Sequence, residues 1–65
     1  MLVSKEDLVI GQVYEVADPV VGFSDYITVA LVENYKHGYV VRSFPNGNSD
    51  FRLGNVCLFR NLEEV

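Results

Sequence analysis

Tyr39-Val40-Val41-Arg42-Ser43-Phe44-Pro45-Asn46-Gly47-Asn48-Ser49-Asp50-Phe51-Arg52-Leu53 is the stretch whose reading decides the fold. Two arms rich in branched and aromatic residues flank a Pro-Asn-Gly turn. Pro45 presets the backbone angle that opens a type I turn, and Gly47 suits the positive φ of the bulge that follows it. The expectation is a three-residue hairpin loop. Its register sets Phe44 against Asn48, Arg42 against Asp50, Val41 against Phe51 and Tyr39 against Leu53. Opposite charges then meet on one face and apolar side chains on the other. A two-residue Asn46-Gly47 loop would set Val41 beside Arg52 and Arg42 beside Phe51, which is worse on both faces. Tyr39, Val41, Phe51 and Leu53 are therefore assigned to the core, and Arg42, Asp50 and Arg52 to the outside.

Upstream, residues 26–33 form the densest β-branched and aromatic run in the chain. The turn after it, residues 34–38, admits two loops. A four-residue loop turns Val32 and Ala30 inward, whereas a five-residue loop turns Ile27, Val29 and Leu31 inward. The second buries more bulk, leaves Glu33 at the rim, and is preferred. Residues 12–16 and 56–60 read as first and last strands, and residues 49–53 as the fourth. Ser4 and Asp7 have capping-box spacing, so residues 4–9 hold one helical turn at most.

A Gly11-x-x-Tyr14-x-Val16 opening, a long loop over 18–25, three meander strands, a short turn at Leu53-Gly54-Asn55 and a closing strand together resemble SH3-like small β-barrel domains. The resemblance spans the whole chain in pattern and rests on no diagnostic motif. It implies an all-β fold: a five-stranded SH3-like small barrel with a single N-terminal helical turn, residues 1–65 forming one domain. It also implies a binding role, as in small bacterial and phage accessory proteins. The chain has no Trp and lacks the paired-Trp, acidic-aromatic groove of signalling SH3 domains, so proline-rich ligands are not implied.

Composition excludes more than it identifies. The chain has 65 residues, nine acids against five Lys plus Arg, and a formal net charge of −4. That balance disfavours nucleic acid as a partner, because phosphate binding needs cations to displace counterions. At 49% hydrophobic and 22% charged, the chain is too apolar for a disordered acidic tail. The single Cys57 allows no internal disulfide, and its apolar neighbours Val56, Leu58 and Phe59 point to a buried structural thiol. Residues 1–7 lack the basic-then-apolar pattern of a secretory leader, and no apolar run is long enough to span a membrane. The expected setting is cytoplasmic and reducing, with no membrane association.

No enzyme is expected, and no catalytic, cofactor-binding or metal-binding residue is assigned. His37 is a lone loop histidine, far short of the roughly four ligands of a zinc site. The acidic pairs Glu6-Asp7 and Glu63-Glu64 lie near the chain ends, where solvent keeps carboxylates ordinary. The glycines form no phosphate-cradling motif, and no small-molecule substrate is suggested.

Two surfaces suggest protein binding, including self-association as a homodimer. The first is the 18–25 loop, whose Val20, Val21 and Phe23 sit between Asp18 and Asp25, an apolar centre with an acidic rim. The second is an apolar strand face around Leu31, Val40 and Phe44, since residues 26–32 are apolar on both faces. An aromatic cage from Tyr14, Phe23, Tyr26 and Tyr35 for a methylated cation is a further arrangement the composition allows. The alternative function is a small nucleic-acid-binding barrel using Lys36, Arg42, Phe44 and Arg52, basic residues with an interleaved aromatic. The expected Arg42–Asp50 pairing and the net charge stand against it.

Overall fold

The branched and aromatic run at the centre of the chain makes the longest strand, and the sheet is assembled around it. A computed structural model describes residues 2–20 and 23–62, with Phe23 and Ser24 described by their backbone only. In chain order the strands are β1 (Leu2–Val3), β2 (Val13–Asp18), β3 (Phe23–Tyr35), β4 (Gly38–Ser43), β5 (Asp50–Gly54) and β6 (Leu58–Asn61), with one 3-10 turn at Lys5–Asp7. They form a single antiparallel sheet in the order β1-β6-β2-β3-β4-β5.

The all-β class and the one N-terminal helical turn are as the sequence predicts. The strand count is corrected from five to six. β1 is only two residues long and pairs Leu2 with Arg60 and Val3 with Phe59; so short a segment shows no alternation to read. The end strands β1 and β5 each pair with one neighbour, so the sheet is open rather than closed into a ring.

Open as it is, the sheet curls tightly. β6 and β4 are three places apart, which in a flat sheet means about 14 Å. Yet the rings of Phe59 on β6 and Tyr39 on β4 lie 4.6 Å apart between centroids. The concave face therefore wraps one core of Tyr14, Val16, Val29, Leu31, Tyr39, Val41, Leu53, Cys57 and Phe59, with Val3 and Leu8 packed against it. Tyr14 meets Phe59 edge-on at 6.1 Å, and its hydroxyl oxygen accepts from the Val9 amide at 2.9 Å, which fixes the turn before β2.

The β4–β5 register is the expected one: Tyr39 pairs with Leu53, Val41 with Phe51 and Arg42 with Asp50. The turn chemistry differs. Phe44-Pro45 is a cis peptide bond, and Gly47 does not have a positive φ. Gly47 donates its N–H to the Ser43 carbonyl at 2.8 Å, and a Cβ at this position would run into that same carbonyl. Glycine is required here by close approach rather than by backbone hand.

The β3–β4 hairpin reaches its predicted core by another route. The turn is two residues long, Lys36-His37, with Tyr35 paired to Gly38; a bulge then falls between Leu31 and Glu33. The extra residue restores the pairing of Leu31 with Val41 and of Val29 with Ser43, the pairing a five-residue loop would give. The capping box is not formed: Ser4 precedes the 3-10 turn, but its side chain makes no capping bond, and its carbonyl accepts from the Asp7 amide at 2.9 Å.

Candidate functional site

Residues directly opposite one another in a sheet point to the same face. Ile27 is opposite Val16 and Phe51 is opposite Val41, and both partners are fully buried in the core. Ile27 and Phe51 thus face the core, as predicted, but each remains 36% exposed. The expectation that both are buried is corrected for a geometric reason. They lie on strands two places apart, toward the end of the curled sheet remote from the β3–β4 turn. Phe44 is 41% exposed; its amide donates to the Thr28 carbonyl at 3.1 Å, which continues the β3–β4 register and sets Phe44 opposite Thr28 on the convex side, behind the lip rather than in it. Asp25, two residues before Ile27 and so on the same side of β3, is exposed.

The predicted protein-binding residues fall into three groups. Phe44, Val20 and Asp25 are exposed, Val20 most of all, and Val40 is half-buried. Val21 and the Phe23 side chain lie outside the described residues. Leu31 is corrected: it is buried at the centre of the core, because the β3 bulge keeps it on the concave side.

The eight-residue loop also shrinks. Asp18 pairs with Phe23 at the end of the β2–β3 ladder, and Asp18 is buried rather than part of an acidic rim. Its carboxylate accepts from the Val20 amide at 3.0 Å and takes the hydrogen bond of the Cys57 thiol. Burial, the Asp18 charge and that hydrogen bond push the Cys57 thiol up to about 11, against the lowering effect of a backbone hydrogen bond from Gly54. So high a value makes it a poor nucleophile.

The convex face carries the charges. Arg42 Nε donates to Asp50 Oδ1 at 2.7 Å, the expected pair. Arg60 Nε donates to Glu15 at 2.9 Å and stacks 3.7 Å over the Tyr26 ring. Arg52 stands across Val40 from Glu33, and with Tyr35 these residues line a shallow hollow of about 290 Å³. Lys36 lies in the turn before β4 and Phe44 follows its last strand residue, opposite ends of a six-residue strand, about 20 Å apart. The four residues of the nucleic-acid reading do not converge. Nor does the aromatic cage form, since Tyr14 is in the core and Tyr26 is covered by Arg60.

Sequence reasoning missed Lys5. Its ammonium donates to Asn34 Oδ1 at 2.8 Å and to the carbonyls of Tyr35 at 2.6 Å and Gly38 at 3.2 Å, and lies 4.1 Å from the Tyr39 ring centroid. This closes the end of the sheet opposite the Ile27 lip. No local signal marks a contact spanning about thirty residues. A cleft of about 310 Å³ beside it is lined by Lys5, Tyr39, Cys57 and Phe59 among others. Burial raises the Tyr39 phenol, with smaller contributions from Cys57 and Glu6. Both shifts favour the protonated forms of Cys57 and Tyr39. His37 is an exposed turn residue with Tyr35 as its ring neighbour at 6.5 Å. Among the described residues, no group of three or more His, Cys, Asp or Glu is placed to hold a metal ion, and no helix is long and apolar enough to cross a membrane.

No family model, curated protein or solved structure matches the chain.

Proposed function

We propose that this protein is a non-enzymatic protein-binding module of SH3-like small-barrel type, working in a reducing, cytoplasmic setting. Its binding surface is the open end of the concave face, formed by Ile27 and Phe51. The observation that carries the reading is that Ile27 and Phe51 turn toward the core and yet remain over a third exposed. Apolar side chains presented by a rigid sheet and rimmed by the acidic Asp25 are what an apolar anchor with a basic flank would recognise. The SH3-like assignment is supported by the return of closing strand β6 to β2, and by the short turn in which the Cys57 amide donates to the Gly54 carbonyl at 3.2 Å. A lone, buried thiol supports the reducing setting.

The test is fluorescence anisotropy against peptides that place Leu or Phe between Arg and Lys residues, run at low and high salt beside a single-stranded oligonucleotide. Peptide binding that survives salt and is lost in Ile27→Lys supports the reading. Absence of peptide binding overturns it. Oligonucleotide binding that falls steeply with salt would establish the nucleic-acid alternative instead.

A further inference from the structure

β5 is an open edge. It pairs with β4 on one side and, among the described residues, with nothing on the other. Natural edges are blunted by proline, by bulges, by charges that repel a second strand, or by extreme shortness. β1 is protected by shortness, at two residues. β5 has five residues, no proline and no bulge against β4, and its two charges, Asp50 and Arg52, are opposite in sign.

We propose that two copies of this chain pair antiparallel along β5, with Phe51 opposite Phe51 and Asp50 of each copy opposite Arg52 of the other. Asp50 and Arg52 share the convex face, and Phe51 lies on the concave side between them. A twofold axis perpendicular to the sheet keeps every side chain on its own face, so the allowed registers differ by whole pleats. Only one pairs the charges. The register on one side of it sets Asp50 against Asp50, and the register on the other sets Arg52 against Arg52, each repulsive.

The convex face is prepared for this contact. Asp50 Oδ1 is taken by Arg42 within the chain, whereas Oδ2 and the Arg52 guanidinium have no partner among the described residues. Pairing would extend the row Arg42–Asp50 to Arg52 of the second copy, with Val40 and Glu33 beyond it, so that charges alternate along the row. On the concave side, two Phe51 rings would cover one another's exposed third. Only Phe51 is shared with the proposed peptide-binding lip, so the two proposals fail separately: the charges tested here lie on the other face.

A five-residue edge makes a small interface, so sedimentation equilibrium must reach about 1 mM to populate it. The wild-type mass is expected to rise from monomer toward dimer. Arg52→Asp, which breaks no intrachain ion pair, and Asp50→Arg each turn two attractive contacts into repulsive ones, weakening association by about thirtyfold. An equimolar mixture of the two variants should regain the affinity as a heterodimer, which misfolding cannot imitate. Independently of any charge reversal, Phe51→Cys in a Cys57→Ala background should form a linked dimer with oxidised glutathione at least about tenfold faster than Ser49→Cys, because only position 51 meets itself within disulfide reach. A wild type monomeric throughout, a dimer indifferent to both reversals, a mixture that stays monomeric, or equal cross-linking at 49 and 51 would each overturn the proposal.

Discussion

Replacing Lys5 by Met tests whether one partly buried ammonium holds an end of this fold together. Met keeps the length and apolar stem of the side chain and removes the charge. Three acceptors lose their donor: Asn34 Oδ1 and the carbonyls of Tyr35 and Gly38, and the contact with the Tyr39 ring is lost as well. The Asn34 Nδ2 bond back to the Lys5 carbonyl, at 2.7 Å, can persist. Hydrogen bonds from a charged donor contribute about 1.5–3 kcal/mol each when well desolvated. Lys5 is half-buried, so about 1 kcal/mol for each of the two short bonds is the fitting figure, with about 0.5 kcal/mol more from the ring contact. The expected loss is about 2–3 kcal/mol, roughly half the stability that so small a core supplies. Urea unfolding followed by far-ultraviolet circular dichroism measures it. Arg42→Met is the comparison, because the Arg42–Asp50 pair is exposed, and exposed pairs contribute about 0–1 kcal/mol. Asn34→Ala in both backgrounds should show coupling to Lys5 of about 1 kcal/mol. Equal losses for Lys5→Met and Arg42→Met, or no coupling to Asn34, would refute the reasoning.

Gly47→Ala should cost about 1–3 kcal/mol, because its Cβ meets the Ser43 carbonyl and the turn must shift, while Gly54→Ala, with open space around its Cβ, should change stability by less than about 0.5 kcal/mol; thermal unfolding of the two variants compares them. Cys57 makes stability depend on alkaline pH. The folded thiol titrates near 11 against a reference value of 9.0, so the unfolded chain loses its proton first. The contribution is full below about pH 9, falls through pH 9–11 and is gone above the folded value, at most about 3 kcal/mol in all. Urea midpoints across that range should decline less steeply in Cys57→Ala, and identical slopes would refute the assignment.

What was legible in the sequence was parity, and what was not was depth and closure. The β4–β5 register could be read because the two arms carry chemistry that discriminates: charges to match on one face, apolar residues on the other. The body of the β3–β4 hairpin came out right although its turn did not. A two-residue turn plus one bulge residue displaces the partner strand as a five-residue loop does, so the inward set was visible and the bulge was not. Leu31 carried two readings, inward by the hairpin register and outward as part of a strand apolar on both faces, and its burial keeps the first and removes the second. Asp18, expected in the acidic rim of the 18–25 loop, is instead buried with its carboxylate against the Cys57 thiol. The Lys5 contact and the two-residue β1 depend on the sheet curling, which places residues about thirty and sixty positions apart side by side. Alternation assigned Ile27 and Phe51 to the core face, but alternation gives a direction and no distance from the end of the sheet.

That missing distance is where the functional argument lies. Burying an Ile or Phe side chain completely contributes about 1.5–3 kcal/mol, so leaving a third of Ile27 and of Phe51 in water forgoes about 0.5–1 kcal/mol at each. A domain with so small a core has little stability to spare, and the end of the same sheet at the β3–β4 turn is closed by Lys5. The two ends are built from the same strands, β3 and β4, so the difference does not follow from strand length or sheet order. At one end the 3-10 turn brings Lys5 onto the β3–β4 turn, while Ile27 and Phe51 lie toward the other and stay partly exposed. A partner that supplied the missing apolar surface would recover the forgone free energy on binding, without rearranging the sheet. The open end is therefore read as a surface completed by a second molecule.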